Sequence, residues 1–223
     1  MTYRLVLWDF DGTLAHTGGD VWLSLDWAAR RCGGTLDASY MADDRNLGCS
    51  VAQIYRHISP YPGDDQLERY DALVRTHYRE ISDYPTTGLY PGIDTLLHEL
   101  RDRGAANHIV TNKPRQALER ILDIKGWSGL FDGWDCADDY NDDIPVQVKT
   151  MMIHDAMTRY GTDSARVVMV GDTFSDIAAA TANGIDSIAV TYGDGNVELL
   201  VGHHPTHRAD TVEELADIVR KGL

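Results

Sequence analysis

Several classes of protein are excluded by what this chain has little of. Cysteine is one: there are three in 223 residues, an odd number without any Cys-x-x-Cys spacing. Cys32, Cys49 and Cys136 therefore read as reduced thiols and not as a disulfide framework or zinc site. Long apolar runs are missing, and none approaches the roughly 20 residues that cross a bilayer. The first residues lack the apolar stretch and cleavage pattern of a secretion signal, so a cytoplasmic location and no membrane partner are expected. Positive charge is scarce too. Twenty Lys and Arg face 35 Asp and Glu, a formal charge of −15, and a field of that sign repels a phosphodiester backbone. No nucleic-acid partner is expected. Internal repeats and low-complexity segments are absent from the sequence. What remains is an ordinary globular composition, 43% hydrophobic and 25% charged, long enough for one large domain or one with a smaller appendage.

The periodicity favours the second arrangement. Residues 4–9, Arg-Leu-Val-Leu-Trp-Asp, form a short apolar run halted by Asp-Phe-Asp-Gly, the pattern of a buried strand. Helical spacing follows: Val21, Leu25, Ala28 and Cys32; then Val51, Ile54, Tyr55 and Ile58; then Leu67, Tyr70, Val74, Tyr78 and Ile81. From Tyr90-Pro-Gly onward helix and strand alternate, with strands predicted at 107–112, around 129–136, at 166–172 and at 187–191. Such alternation means parallel strands joined by helical crossovers. The expected fold is α/β: a doubly wound, Rossmann-like parallel sheet formed by residues 1–14 and 88–223. A small all-helical cap domain, residues 15–87, is inserted after the first strand. Ser82-Asp-Tyr-Pro-Thr-Thr-Gly88, rich in turn formers, reads as its return hinge.

Ligands of an open parallel sheet gather at the carboxyl ends of its strands. Asp9 and Asp11 follow the first strand, Thr111 and Asn112 end the second, and Asp172 and Asp176 follow the fourth. A carboxylate cluster in a dry cleft repels itself unless protons or a cation neutralise it, and hard oxygen donors suit Mg²⁺. Gly12 supplies the freedom for a turn that lets Asp9 and Asp11 serve one site. A carboxylate beside Mg²⁺ can attack a phosphoryl group in line. A second acid can then protonate the leaving oxygen and activate water. The Thr111 hydroxyl, backbone N–H groups and a lysine can hold the non-bridging oxygens.

Asp9-Phe-Asp11-Gly-Thr13, Thr111-Asn-Lys and Gly171-Asp172-Thr-Phe-Ser-Asp176, in that order along nearly the whole chain, resemble the motifs of the haloacid dehalogenase superfamily of phosphohydrolases. Tyr90-Pro-Gly, Thr111-Asn-Lys-Pro, Thr191-Tyr-Gly and a helical insert after the first strand look most like its phosphoglycolate phosphatase group. The resemblance implies a phosphatase acting on a small phosphoester through an aspartyl phosphate. It implies Asp9 as nucleophile, Asp11 as general acid and base, and Thr111, with Asn112, as phosphate holder. Mg²⁺ would be bound by Asp9, the Asp11 backbone carbonyl and Asp172, with Asp176 supporting the metal shell. The family's lysine often opens a Lys-Pro-x-Pro segment. Here Lys149 is followed by Thr-Met-Met-Ile, yet its place before the fourth strand makes it the phosphate-binding candidate, with Lys113 and Lys125 as alternatives. A phosphomutase resembling beta-phosphoglucomutase uses the same constellation, but residues 15–87 show no clear equivalent of its sugar-recognising groups. A catalytically silent binding protein would have no chemical need for the full set.

Other features have plainer readings. Asp176 would also serve as an acidic residue in a first helical turn. His203, His204 and His207 lie in a Gly- and Pro-containing loop without ligand spacing. Thr191-Tyr-Gly-Asp-Gly195 reads as a turn. Tyr40, Arg45, Asn46, Gly48 and Ser50 are either pocket residues or short helix connections. The acids Asp132, Asp135, Asp138, Asp139, Asp142 and Asp143 form either a solvated loop or a screen against highly charged anions.

Overall fold

Leu5–Trp8 (β1) is buried at every residue, as an apolar strand covered on both faces must be, and the other strands are arranged around it. A computed structural model describes residues 3–141 and 144–222. After β1 come β2 (Ala15–His16), α1 (Gly18–Arg31), β3 (Thr35–Leu36), α2 (Ala38–Met41), α3 (Val51–Tyr55), β4 (Ile58–Ser59) and α4 (Leu67–Thr76). Then follow β5 (Gly88–Leu89), α5 (Ile93–Asp102), β6 (Ala106–Thr111), α6 (Arg115–Lys125), β7 (Gly133–Cys136) and α7 (Pro145–Tyr160). The chain ends through β8 (Val167–Gly171), α8 (Phe174–Asn183), β9 (Asp186–Val190), α9 (Val197–Gly202), β10 (His207–Ala209) and α10 (Val212–Lys221). It divides into two compact units, Met1–His16 with Gly88–Leu223, and Thr17–Thr87.

The larger unit contains a six-stranded sheet in the order β10-β9-β8-β1-β6-β7, every neighbouring pair parallel. From β1 the chain builds outward through β6 and β7, then crosses back to place β8 on the other side of β1. The carboxyl ends of β8, β1 and β6 thus flank the point where strand order reverses, where such sheets bind ligands. Successive side chains alternate between faces. Leu5 and Leu7 join Val110, Val167 and Met169 against Met152 and Ile153 of α7 and Ala179 and Ala180 of α8. On the opposite face Trp8 donates Nε1–H to Asn107 Oδ1 at 3.1 Å, and Asn107 donates to the Leu97 carbonyl at 3.0 Å. That buried polar pair is therefore satisfied.

Three details differ from the sequence expectation. The third predicted strand starts only at Gly133, because Ser128–Leu130 form a single 3₁₀ turn. A further edge strand, β10, has no apolar alternation to reveal it: two of its three residues are exposed. The two-residue ribbon of β2 with β5 is too short for any period, and it keeps Ala15 and His16 in the larger unit.

The smaller unit is helical apart from the antiparallel β3–β4 ribbon. Trp22, Leu25 and Ala28 of α1 pack with Ile54, Tyr55, Ile58 and Tyr70 in its core. Asp20, in the first turn of α1, is fully buried. It accepts the amides of Thr86 and Thr87 at 3.1 and 2.7 Å and the Thr87 hydroxyl at 2.7 Å. The segment that leaves this unit is thereby tied to the helix that begins it. Among the described residues no helix is long and apolar enough to cross a membrane.

Removing one buried charged acceptor strands three donors, so Asp20→Ala should lower unfolding stability by about 3 kcal/mol. Asp20→Asn, which keeps one acceptor oxygen, should lose less. Urea melts monitored by circular dichroism will read both, and an unchanged midpoint for Asp20→Ala would contradict the assignment.

Candidate active site

At the end of β1 the Asp9 amide still donates to the Val170 carbonyl, at 2.9 Å, and the chain then folds into a tight turn. Leu14 and Ala15 both donate to the Phe10 carbonyl, and Gly12 donates to Ala15. Gly12 has φ +74°, and a Cβ there would lie 2.3 Å from Asp172 Oδ2. The position therefore needs glycine for both backbone and contact. The turn leaves Asp9 only 5% exposed and Asp11 half-exposed.

Asp9 Oδ1 accepts the Phe10 amide at 2.8 Å, and its Oδ2 lies 3.1 Å from Lys149 Nζ. Lys149 rises from the first turns of α7 and is buried. It also donates to Asp176 Oδ1. The other Asp176 oxygen accepts the Thr173 amide at 3.0 Å and hydroxyl at 2.7 Å, closing a capping box at the start of α8. Asp176 thus caps the helix and stands inside the acidic cluster. Asp172 accepts the Thr13 hydroxyl on Oδ1 and the amides of Asp194 and Gly195 on Oδ2.

Oxygens of Asp9, Asp172 and Asp176 lie within 4.8 Å of one another. The side chain of Asp11 is not in that trio and pairs with Lys113 Nζ at 2.8 Å. Thr111, at the end of β6, is buried, and its hydroxyl accepts the Lys113 amide at 3.1 Å. Asn112 beside it is exposed. Of the three candidate lysines, Lys149 and Lys113 are both at this edge. Lys125 sits in the last turn of α6, about 15 Å along the helix from its start.

The electrostatics are those of an excess of buried acid. Asp9 is pushed up to about 8, by burial first and then by Asp176, Asp172 and Asp11, against the pull of Lys149. Asp172 is pushed up to about 7, by burial and Asp176, against Lys149 and the Gly195 amide. Burial opposes the charge on Lys149, but Asp176 and Asp9 outweigh it and hold its pKa above the ordinary range. Three carboxylates and one ammonium leave two negative charges, which one divalent cation neutralises. An all-oxygen donor set of this kind fits Mg²⁺.

The remaining candidates separate cleanly. Asp132 accepts the Asn107 amide, and Asp135 accepts from buried His108 and two nitrogens of Arg159. Asp138 accepts the Arg115 amide, and Asp139 holds the Arg115 guanidinium and caps Cys136. These four acids tie β7 and its following turn to their neighbours, while Asp142 and Asp143 lie outside the described residues. His203 bonds to the Leu199 carbonyl and lies against Phe174. In the smaller unit Arg45 pairs with Asp43, Asn46 bonds to the Tyr40 carbonyl, and Ser50 caps α3. Sequence reasoning quoted Thr13 in its motif but did not find its bond to Asp172, the Lys113–Asp11 pair or the contact of loop 192–195 with Asp172.

Residues 6–190 match the family model described as haloacid dehalogenase-like hydrolase. The chain belongs to that family, and it is a hydrolase by that membership. It is 28% identical to a phosphoglycolate phosphatase of Vibrio vulnificus, over 97% of this chain and 96% of that protein. It is also 28% identical to the pyrophosphatase PpaX of Bacillus pumilus, over 98% and 97%. A solved structure from Clostridium difficile superposes with a TM-score of 0.85 at 24% identity, covering 98% of this chain and 99% of that one, and so shares the fold.

Raised carboxylate pKa values have a defined sign in stability. The folded protein retains protons that the unfolded chain releases from about pH 4 upward. Asp9 and Asp172 therefore favour folding less as pH rises toward 7–8. A cation that binds their ionised forms stabilises most at the high end of that window. In EDTA the melting temperature should fall between about pH 5 and pH 8, less steeply in Asp9→Asn than in the parent. Added MgCl₂ should raise it more at pH 8 than at pH 5. Parallel profiles for parent and variant would refute this account.

Proposed function

We propose that the chain is a Mg²⁺-dependent phosphomonoester hydrolase that acts on a small, phosphoglycolate-like metabolite through an aspartyl phosphate on Asp9. The observation that carries the reading is the buried Asp9 carboxylate, 3.1 Å from the Lys149 ammonium and inside a carboxylate trio, with half-exposed Asp11 two residues on. The names of the curated relatives support the substrate class.

Asp9, the Asp11 carbonyl and Asp172 would hold Mg²⁺, whose charge would offset the repulsion between an anionic nucleophile and an anionic phosphate. Asp9 attacks phosphorus, an acyl–phosphate bond forms, and the bond from phosphorus to the leaving oxygen breaks. Asp11 gives that oxygen its proton. Water then attacks the same phosphorus, Asp11 takes the water's proton, and Asp9 is released with inorganic phosphate. The Thr111 hydroxyl, Asn112 and Lys149 hold the non-bridging oxygens through both transfers, which keeps the phosphoryl group in line.

Asp9→Asn should lower kcat/KM at least about a thousandfold with the fold intact. Asp11→Asn should damage turnover of alkyl phosphates more than of an aryl phosphate, whose leaving group needs little protonation. A phosphate-release assay over phosphorylated acids, sugars and nucleotides, in EDTA and in Mg²⁺, reads both effects. Asp9→Asn turnover equal to the parent would remove the nucleophile assignment. Isomerised sugar phosphate without released phosphate would identify a mutase instead.

A further inference from the structure

We infer that the loop Tyr192–Gly195 is a positioning device for Asp172 and sets the affinity of the site for its divalent cation. The inference rests on the metal reading above. Asp172 follows β8, and its carboxylate has little freedom left. Oδ2 accepts the amides of Asp194 and Gly195, each at 3.0 Å, while Oδ1 accepts the Thr13 hydroxyl at 3.2 Å. Thr13 is itself held from the same loop, because Tyr192 donates its hydroxyl to the Thr13 carbonyl at 3.0 Å. The base of the loop is anchored to the edge strand, where the Thr191 amide donates to Ala209 at 3.0 Å. One loop thus fixes the carboxylate directly and through its neighbouring turn.

The approach is so close that only glycine permits it. A Cβ on Gly195 would lie 1.9 Å from the Asp172 carbonyl oxygen. One on Gly193 would lie 2.2 Å from the Gly12 carbonyl oxygen and 2.6 Å from Asp172 Oδ2. A side chain at either position must push the loop off the strand end.

A carboxylate has about four lone-pair sites, so three protein donors leave room for a cation. The rotamer is fixed in advance, so little side-chain freedom remains to be lost on binding, and the partners of a ligand commonly affect affinity about 10–100-fold. Gly193 and Gly195 are therefore positioning residues. Neither touches substrate.

Isothermal titration of the full chain with MgCl₂ alone tests this without reference to turnover. Gly195→Ala should weaken Mg²⁺ binding about tenfold or more, while Gly202→Ala, whose added Cβ meets nothing within 4 Å, should bind as the parent does. In a phosphatase assay the Gly195→Ala loss should be recovered by raising Mg²⁺, with KM for substrate little changed. Should Gly195→Ala fail to fold by circular dichroism, Tyr192→Phe decides, with binding expected to weaken about twofold or more through loss of one hydrogen bond. Parental Mg²⁺ affinity in a folded Gly195→Ala, or in Tyr192→Phe where that variant decides, overturns the inference while leaving the metal site standing. A parent that takes up no Mg²⁺ overturns the metal reading itself and the loop's role with it.

Discussion

The arrangement depends on one constraint: Asp9, Asp172 and Asp176 must stay together, almost wholly buried, at the end of a dry sheet. Charges of one sign in that setting cost several kcal/mol each unless they are paired. Lys149 supplies the pairing, bridging Asp9 and Asp176 from α7. It is placed to do so because α7 packs on α8 and on the sheet through Val148, Met152, Ile153 and Ala156. Apolar packing therefore holds an ammonium where water cannot reach it, and the ammonium keeps the carboxylates tolerable. The part of the charge it leaves uncompensated suits the trio to a cation.

Topology explains why residues more than 160 positions apart meet. β1 lies between β6 and β8, so three strands that run in the same direction deliver Asp9, Thr111 and Asp172 to the same edge. Each crossover returns on a helix whose start lies at that edge or opens just beyond it. Asp176 follows from this: it is the third residue of α8, so capping that helix and facing Lys149 are demands on the same carboxylate. Replacing it by an apolar residue would leave the buried ammonium with Asp9 alone as well as remove a cap, which separates it from an ordinary first-turn acid.

Much of this was legible in the sequence, and the limits are physical. Strands with both faces buried write themselves as short apolar runs, and three of them stop at residues with chemistry: Asp9, Thr111 and Asp172. Their convergence follows from the parallel crossovers. Period gave no access to β10, which is polar and three residues long, or to β2 and β5, where pairing is made by two residues on each side. Nor did it reach the contacts made by backbone amides. Gly193 and Gly195 look like any turn, because what matters is the 2–3 Å approach of one segment to another, and nothing in local composition encodes that. The acidic cluster shows the reverse difficulty. Asp132, Asp135, Asp138 and Asp139 look alike in sequence, yet each has its own donors, two of them the arginines Arg115 and Arg159.

The acidity of the whole chain bears on how such a site takes up an anion. A formal charge of −15 repels phosphoesters at long range, but in physiological salt that field decays over about 8 Å. Inside that distance the local groups decide. Lys113 pairs with Asp11 and Lys149 offsets only one carboxylate of the trio, so ionising Asp9 and Asp172 together builds up negative charge at this edge. On the proposed reading a divalent cation offsets that charge and so favours a phosphate at the same edge. On that reading metal and phosphate affinity are coupled through Asp9, which would both hold the cation and face the phosphate, while Asp172 would act on the cation alone.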